Sequence, residues 1–144
     1  MTGLNELTIK SASLLSIEEA ANLLSEEDRK YKGYWWLHPA IRDDEFAPDV
    51  EPDGSISYCG DYVNTDDTYV RPVLNILLSQ TGGIKPGEVF FFGDKPFKII
   101  SENQAFCMGD IGKCSFNKTI YDKNNYETSL IKEYIDGWFN QVRA

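Results

Sequence analysis

The sequence predicts an α+β fold in which short antiparallel strands and loops carry two or three helices within a single compact domain. Three observations lead there. Ser16-Ile17-Glu18-Glu19 is a capping box, with the Ser16 side chain able to take the Glu19 amide while Glu19 reaches back, so a helix should run from there to about Leu24. Residues 89–108 hold three short apolar runs separated by turn residues, the pattern of a small antiparallel meander. Tyr126, Leu130, Ile131, Tyr134, Ile135, Trp138 and Phe139 recur at helical spacing and form one apolar stripe that a sheet or another helix must cover. At 144 residues the chain is of one-domain size, since domains commonly run to about 100–150 residues.

Each element follows from local signals. Leu14, Leu15 and Ile17 bracket the first cap as a hydrophobic staple, and Ala20, Ala21, Leu23 and Leu24 are the expected buried face. Ser25-Glu26-Glu27-Asp28 offers a second N-cap with acids in the first turn, so a broken pair of short helices is expected. Adjacent indoles on a strand point to opposite faces, so at least one of Trp35 and Trp36 should enter a core. Pro48, Pro52-Asp53-Gly54 and Gly60-Asp61 punctuate the next stretch, where Ser55-Ile56-Ser57-Tyr58 alternates polar and apolar residues in the manner of short strands joined by turns.

Residues 69–78 read as a buried strand in which Pro72, lacking a ladder donor, belongs at an edge, a bulge or a strand end. Beside it Arg71 suits a half-buried guanidinium that ties a carboxylate or loop carbonyls. Gln80-Thr81-Gly82-Gly83 is the one internal linker candidate, so 1–144 is read as one domain with possible sub-units 11–79 and 84–144. Two strands then flank Gly93-Asp94-Lys95-Pro96, residues 104–108 supply a third, and Asn124 or Asn125 is the candidate cap of the last helix.

The charge balance narrows the function. With 14 Lys+Arg against 23 Asp+Glu the net charge is −9, which argues against direct nucleic-acid binding because phosphate neutralisation needs a basic face. Nine acidic residues and no Lys or Arg fall between residues 43 and 67: Asp43, Asp44, Glu45, Asp49, Glu51, Asp53, Asp61, Asp66 and Asp67. No apolar stretch approaches the roughly 20 residues of a membrane span, and residues 1–10 lack a secretory leader's pattern, so no membrane role or export is expected. Cys59, Cys107 and Cys114 leave one thiol unpaired under any scheme, which fits a reducing cytoplasm, although a Cys107–Cys114 bridge across a turn is conceivable.

Chemistry-bearing motifs are sparse. His38 is the only histidine and lies in a loop before Pro39, so neither a Ser-His-Asp nor a Cys-His arrangement is compelling, and the cysteines lack the paired spacing of a zinc site. Gly109-Asp110-Ile111-Gly112 lacks the phosphate-loop ending and reads as a turn. No enzyme activity and no cofactor are expected. Asp61, Asn64, Asp66 and Asp67 place hard oxygen ligands close together, so calcium is the one metal considered, but without EF-hand spacing they read first as solvated turn residues.

Several of these segments, in this order, resemble a known family: Leu14-Leu15-Ser16-x-Glu18-Glu19-Ala20, Trp35-Trp36-Leu37, Asp53-Gly54-Ser55 and Val70-Arg71-Pro72-Val73-Leu74. They are similar to an uncharacterised family of phage, prophage and gut-bacterial domains with the signature LLS-x-EEA, WWLRSPG, a DG turn and VRPAL. Gly87-Glu88-Val89-Phe90, Phe97-Lys98-Ile99-Ile100-Ser101, Ala105-Phe106-Cys107 and Tyr126-x-x-Ser129 resemble the phage members in the second half. The family's Arg-Ser-Pro-Gly is replaced here by His38-Pro39-Ala40-Ile41. The resemblance implies a C-type-lectin-like fold, with Trp35, Trp36, Arg71 and Pro72 as scaffold, in the cytoplasm of a bacterial host or on a phage particle.

Some relatives resemble the variable proteins of diversity-generating retroelements, which are enriched in Asn, Asp, Tyr and Ser at exposed sites. Ser57, Tyr58, Asp61, Tyr62, Asn64, Asp66, Asp67 and Tyr69 fit that composition, with Thr65 and Thr68 between them. Tyr offers large contact area at low entropy cost, and Ser and Asn adapt their hydrogen bonds. The expected function is therefore non-enzymatic binding of a protein or glycan through these acidic, tyrosine-bearing loops. The alternative is an anti-CRISPR-like inhibitor whose acidic surface mimics nucleic acid toward a host defence protein.

Overall fold

The computed structural model describes residues 7–38, 45–78, 85–117 and 126–143. The candidate linker at 80–83, the Asn124 and Asn125 caps, Pro39, and Asp43 and Asp44 lie outside the described residues. Eight strands are assigned: β1 (Leu7–Ser13), β2 (Trp35–Trp36), β3 (Phe46–Val50), β4 (Ile56–Tyr62), β5 (Val73–Leu78), β6 (Val89–Phe92), β7 (Lys95–Ser101) and β8 (Gln104–Cys107). The helices are α1 (Ile17–Leu23), α2 (Glu26–Arg29) and α3 (Leu130–Arg143). All paired strands are antiparallel, in a five-stranded sheet of order β1-β5-β8-β7-β6 and a three-stranded sheet of order β2-β3-β4. This is an α+β domain, and no helix among the described residues is long and apolar enough to cross a membrane.

The locally encoded features form as read. Glu19 N donates to Ser16 Oγ at 3.1 Å and Ser16 N donates to Glu19 Oε1 at 2.9 Å, which completes the capping box. Ser25 Oγ accepts from Asp28 N at 3.1 Å and starts α2. The buried face of α1 is narrower than expected: Ala20 and Leu24, one turn apart, are buried, Leu23 is half-buried and Ala21 is exposed. Gly93 and Asp94 have φ of 61° and 63°, the paired left-handed conformation of a type I′ turn, whose twist matches that of the hairpin β6–β7.

Two expectations shift in register. The strand read over residues 69–78 starts at Val73, so Pro72 needs no ladder donor, and its carbonyl accepts from Cys107 N at 2.9 Å. The last helix begins at Leu130 after a 3-10 turn, Tyr126–Thr128. Ser129 is its cap, with its hydroxyl accepting from Lys132 N at 3.1 Å and donating to Tyr126 O at 2.7 Å.

Period-two alternation divides the large sheet between two cores. Leu74, Ile76, Phe97, Ile99, Ala105 and Cys107 meet Ile131, Ile135 and Phe139 of α3 on one side, while Val73 and Phe106 meet Leu15, Ala20 and Leu24 on the other. Both cores draw on residues from before and after 79–84, so the two candidate sub-units share them.

Candidate functional site

The Trp-Trp and Arg-Pro segments form the frame. Both indoles are fully buried, and because neighbouring residues on β2 point oppositely, Trp36 enters the core beneath α3 and Trp35 the core beneath α1. Each N–H is satisfied: Trp35 Nε1 donates to Arg29 O at 3.0 Å and Trp36 Nε1 to Cys114 O at 2.8 Å. Two adjacent side chains thereby fasten the small sheet to both cores.

Arg71 is buried rather than half-buried. Its guanidinium donates to the carbonyls of Gly109 (3.1 Å), Met108 (3.2 Å) and Asp28 (3.4 Å), so the loop-carbonyl expectation is met and the carboxylate one is not. The rings of Tyr31, Phe106 and Trp35 lie 4.4–4.8 Å from its central carbon, and a delocalised cation stacks well on such faces. Burial pulls its pKa down to about 10, so it stays charged at neutral pH. The Gly109-Asp110-Ile111-Gly112 turn, closed by Gly112 N donating to Asp110 Oδ1 at 2.8 Å, supplies one of these carbonyls, and Tyr31 donates to the same carboxylate.

Tyr69 belongs to this frame and not to an exposed surface. It is half-buried, edge-on to Tyr31 at 5.3 Å, with the Lys32 and Lys113 ammonium groups 5.2 and 4.9 Å from its ring centroid. Its backbone links β2 to the rest, since Trp36 N donates to Tyr69 O at 3.2 Å and Tyr69 N to Tyr34 O at 2.8 Å. Thr68 is likewise buried.

The remaining candidates gather on and after β4, the edge of the small sheet. Tyr58 is 70% exposed and Tyr62 47%, the latter with its ring 4.5 Å from Phe46. Asn64 and Asp66 are exposed, Thr65 is half-buried, and Asp67 accepts an ion pair from Lys113 at 2.6 Å. Ser57 and Asp61 serve their own strand. Gly60 N donates to Ser57 Oγ at 3.0 Å, and Tyr62 N donates to Asp61 Oδ1 at 2.8 Å. Val63 N reaches Glu45 O at 2.8 Å, so by the period of two the Tyr62 amide faces away from β3, and that outward donor is already used.

The four oxygen-bearing residues weighed for calcium are not assembled into a site. Among the described residues no group of three or more His, Cys, Asp or Glu is placed to hold a metal ion, and Asp61 and Asp67 have the local partners just described. All three cysteines are free thiols, so Cys107 and Cys114 do not pair, and burial pushes both up to about 11. His38 lies with its ring 4.6 Å from that of Tyr126.

One of the nine acidic residues is not solvated. Asp49 on β3 is 1% exposed and, among the described residues, its Oδ1 has no hydrogen-bond partner. Burial first, then the charges of Asp61 and Glu51, push its pKa up to about 7. It pairs with Ser57 beside a bulge where Pro48 alone faces Tyr58, Cys59 and Gly60. Nothing in Phe46-Ala47-Pro48-Asp49-Val50 alternates, because β3 is the middle strand and is covered on both faces, so the sequence held no cue to its burial.

No family model matches this sequence, and comparison with curated proteins and with solved structures finds no match.

Proposed function

We propose that this chain is a non-enzymatic, phage- or prophage-encoded binding domain of C-type-lectin-like kind that takes a protein or glycan through the Tyr58 and Tyr62 surface of β4, in the host cytoplasm or on the particle. The observation that carries this reading is the exposure of those two rings on a strand where Ser57 and Asp61 take the amides of Gly60 and Tyr62. Around Gly60 and Tyr62, side chains are then what β4 offers a ligand. Tyr is suited to that role because it presents a large amphipathic face at small entropic cost. Asn64 and Asp66 add adaptable polar groups at the rim.

The nucleic-acid-mimic reading draws less support. Of its acidic residues Asp49 is buried and Asp67 is paired with Lys113, which breaks up a phosphate-like line of charge.

The test is a Tyr58→Ala/Tyr62→Ala variant beside Tyr69→Ala. On a glycan array and on immobilised protein exposed to host lysate, the double variant is expected to lose capture while unfolding within about 0.5 kcal/mol of wild type, as exposed truncations do. Tyr69→Ala is expected to lose roughly 2 kcal/mol, since it empties a packed aromatic site. Unchanged capture by the double variant sinks the proposal. Capture of a nuclease that fades steeply with salt transfers the case to the mimic.

A further inference from the structure

We propose that β6 is a self-association edge, along which two copies join antiparallel with Phe90 facing its own counterpart, so that two five-stranded sheets become one of ten. The backbone of the hairpin fixes which groups are free. Ile99 N donates to Glu88 O at 2.9 Å, so Glu88, Phe90 and Phe92 turn their polar groups toward β7, and Phe91 stands opposite Pro96, which has no amide to give. The N–H and C=O of Val89 and Phe91 therefore point away from β7, from the last strand in the sheet.

A two-fold axis perpendicular to the sheet keeps like faces together, which restricts the pairing to registers that match even with even positions. Centring on Phe90 sets Val89 against Phe91 of the second copy and Phe91 against its Val89. All four outward groups of each copy then gain partners. Centring on Phe91 joins only that residue to itself and pushes Val89 against the turn at Gly93.

The side chains agree with the same register. Val89 is 53% exposed and Phe91 70%, on the face away from α3, and a branched residue against an aromatic one is a favourable cross-strand pair. Glu88 falls opposite Phe92 of the second copy, whose own ladder partner is Lys95. The opposite charges thus lie about two strand spacings apart, roughly 10 Å between backbones and within reach of both long side chains. Two such pairs form by symmetry. In a chain of net charge −9 this edge is balanced, with Lys85 and Lys95 against Glu88 and Asp94. A lone copy gains nothing from Val89 and Phe91 in water, and β6 carries no Lys, Pro or bulge of the kind that guards free edges.

Sedimentation of the full chain from low to high micromolar concentration tests this directly. Wild type is expected to pass from monomer to dimer, and Val89→Lys/Phe91→Lys to weaken the dimer by roughly tenfold or more with an unchanged circular dichroism spectrum. Glu88→Lys is expected to weaken it, and Glu88→Lys/Lys95→Glu to restore it. The register is read in a Cys59→Ser background, where a mixture of Val89→Cys and Phe91→Cys chains should cross-link as a heterodimer and Phe91→Cys alone should not. A wild type that stays monomeric throughout, or a dimer indifferent to the double lysine variant, overturns the proposal; ready cross-linking of Phe91→Cys to itself overturns the register.

Discussion

Strand β4 ends the small sheet and strand β6 ends the large one, and the two edges are built in opposite ways. β4 is bulged, with two of its amides taken by Ser57 and Asp61, and it shows tyrosine rings among acidic residues. β6 pairs with β7 without a register shift, leaves the amides of Val89 and Phe91 outward, and shows aliphatic and aromatic carbon within a charge-balanced segment. An edge strand is a template for another strand unless something occupies its free groups. On the readings proposed above, the difference between these edges is a difference in what each accepts: side-chain recognition at β4, backbone pairing at β6.

Asp49, beside the β4 bulge, carries the largest expected effect. Its pKa is 3.8 in the ordinary case and about 7 in the fold, so the folded state holds a proton that the unfolded chain has released between those values. The native state is therefore penalised increasingly as pH rises from about 4 to about 7, and fully above that. At about 1.4 kcal/mol per unit the penalty reaches up to roughly 4 kcal/mol. Asp49→Asn should match or trail wild type in urea unfolding near pH 4 and gain on it steadily to a plateau above pH 7. A gap that does not change with pH would mean that Asp49 does not titrate in the fold.

The bulge itself comes next. Gly60 has φ of 69°, and a Cβ there would lie 1.6 Å from Ala47 O. Gly60→Val should cost about 3 kcal/mol in urea unfolding, because the left-handed backbone and the clash both penalise a side chain. A cost below about 1 kcal/mol would show that β4 can straighten, and with it that the two edges are not fixed in character.

The smallest effect tests the seal. Ser57→Ala/Asp61→Ala frees the amides of Gly60 and Tyr62 and should cost about 1 kcal/mol, the scale of exposed or half-buried hydrogen bonds. In the Val89→Lys/Phe91→Lys background, where β6 is blocked, it should also produce a new concentration-dependent association in sedimentation. If no such association arises, side-chain seals are not what keeps β4 apart from other strands.

Most local elements were legible. The Ser16 box, the Ser25 cap and the Gly93-Asp94 turn depend on residues within four positions of one another, so their geometry is decided before any long-range contact forms. The stripe from Tyr126 to Phe139 was legible for a similar reason, because a single helix imposes its period on whatever it covers. The start of α3 is not legible in the stripe, because Tyr126 belongs to it yet sits in a separate 3-10 turn, and Ser129, buried and hydrogen-bonded back to that turn, is what opens the helix. On the candidate surface, composition drew Tyr58, Tyr62 and Tyr69 together as equals. The fold separates them, since Tyr69 follows the chain back under Tyr31 and the lysines while the other two stay on the edge.

By itself the sequence determined the α+β class, the caps of α1 and α2, the hairpin and the need for Trp35 or Trp36 in a core, because period and turn chemistry act over a few residues. Only the tertiary structure decided that both indoles are buried in different cores, that Arg71 rests on carbonyls, that Asp49 is buried, and that β4 and β6 are edges at all. Those outcomes depend on which distant strands lie side by side, as β1 does with β5, and burial is set by that neighbour rather than by the residue itself.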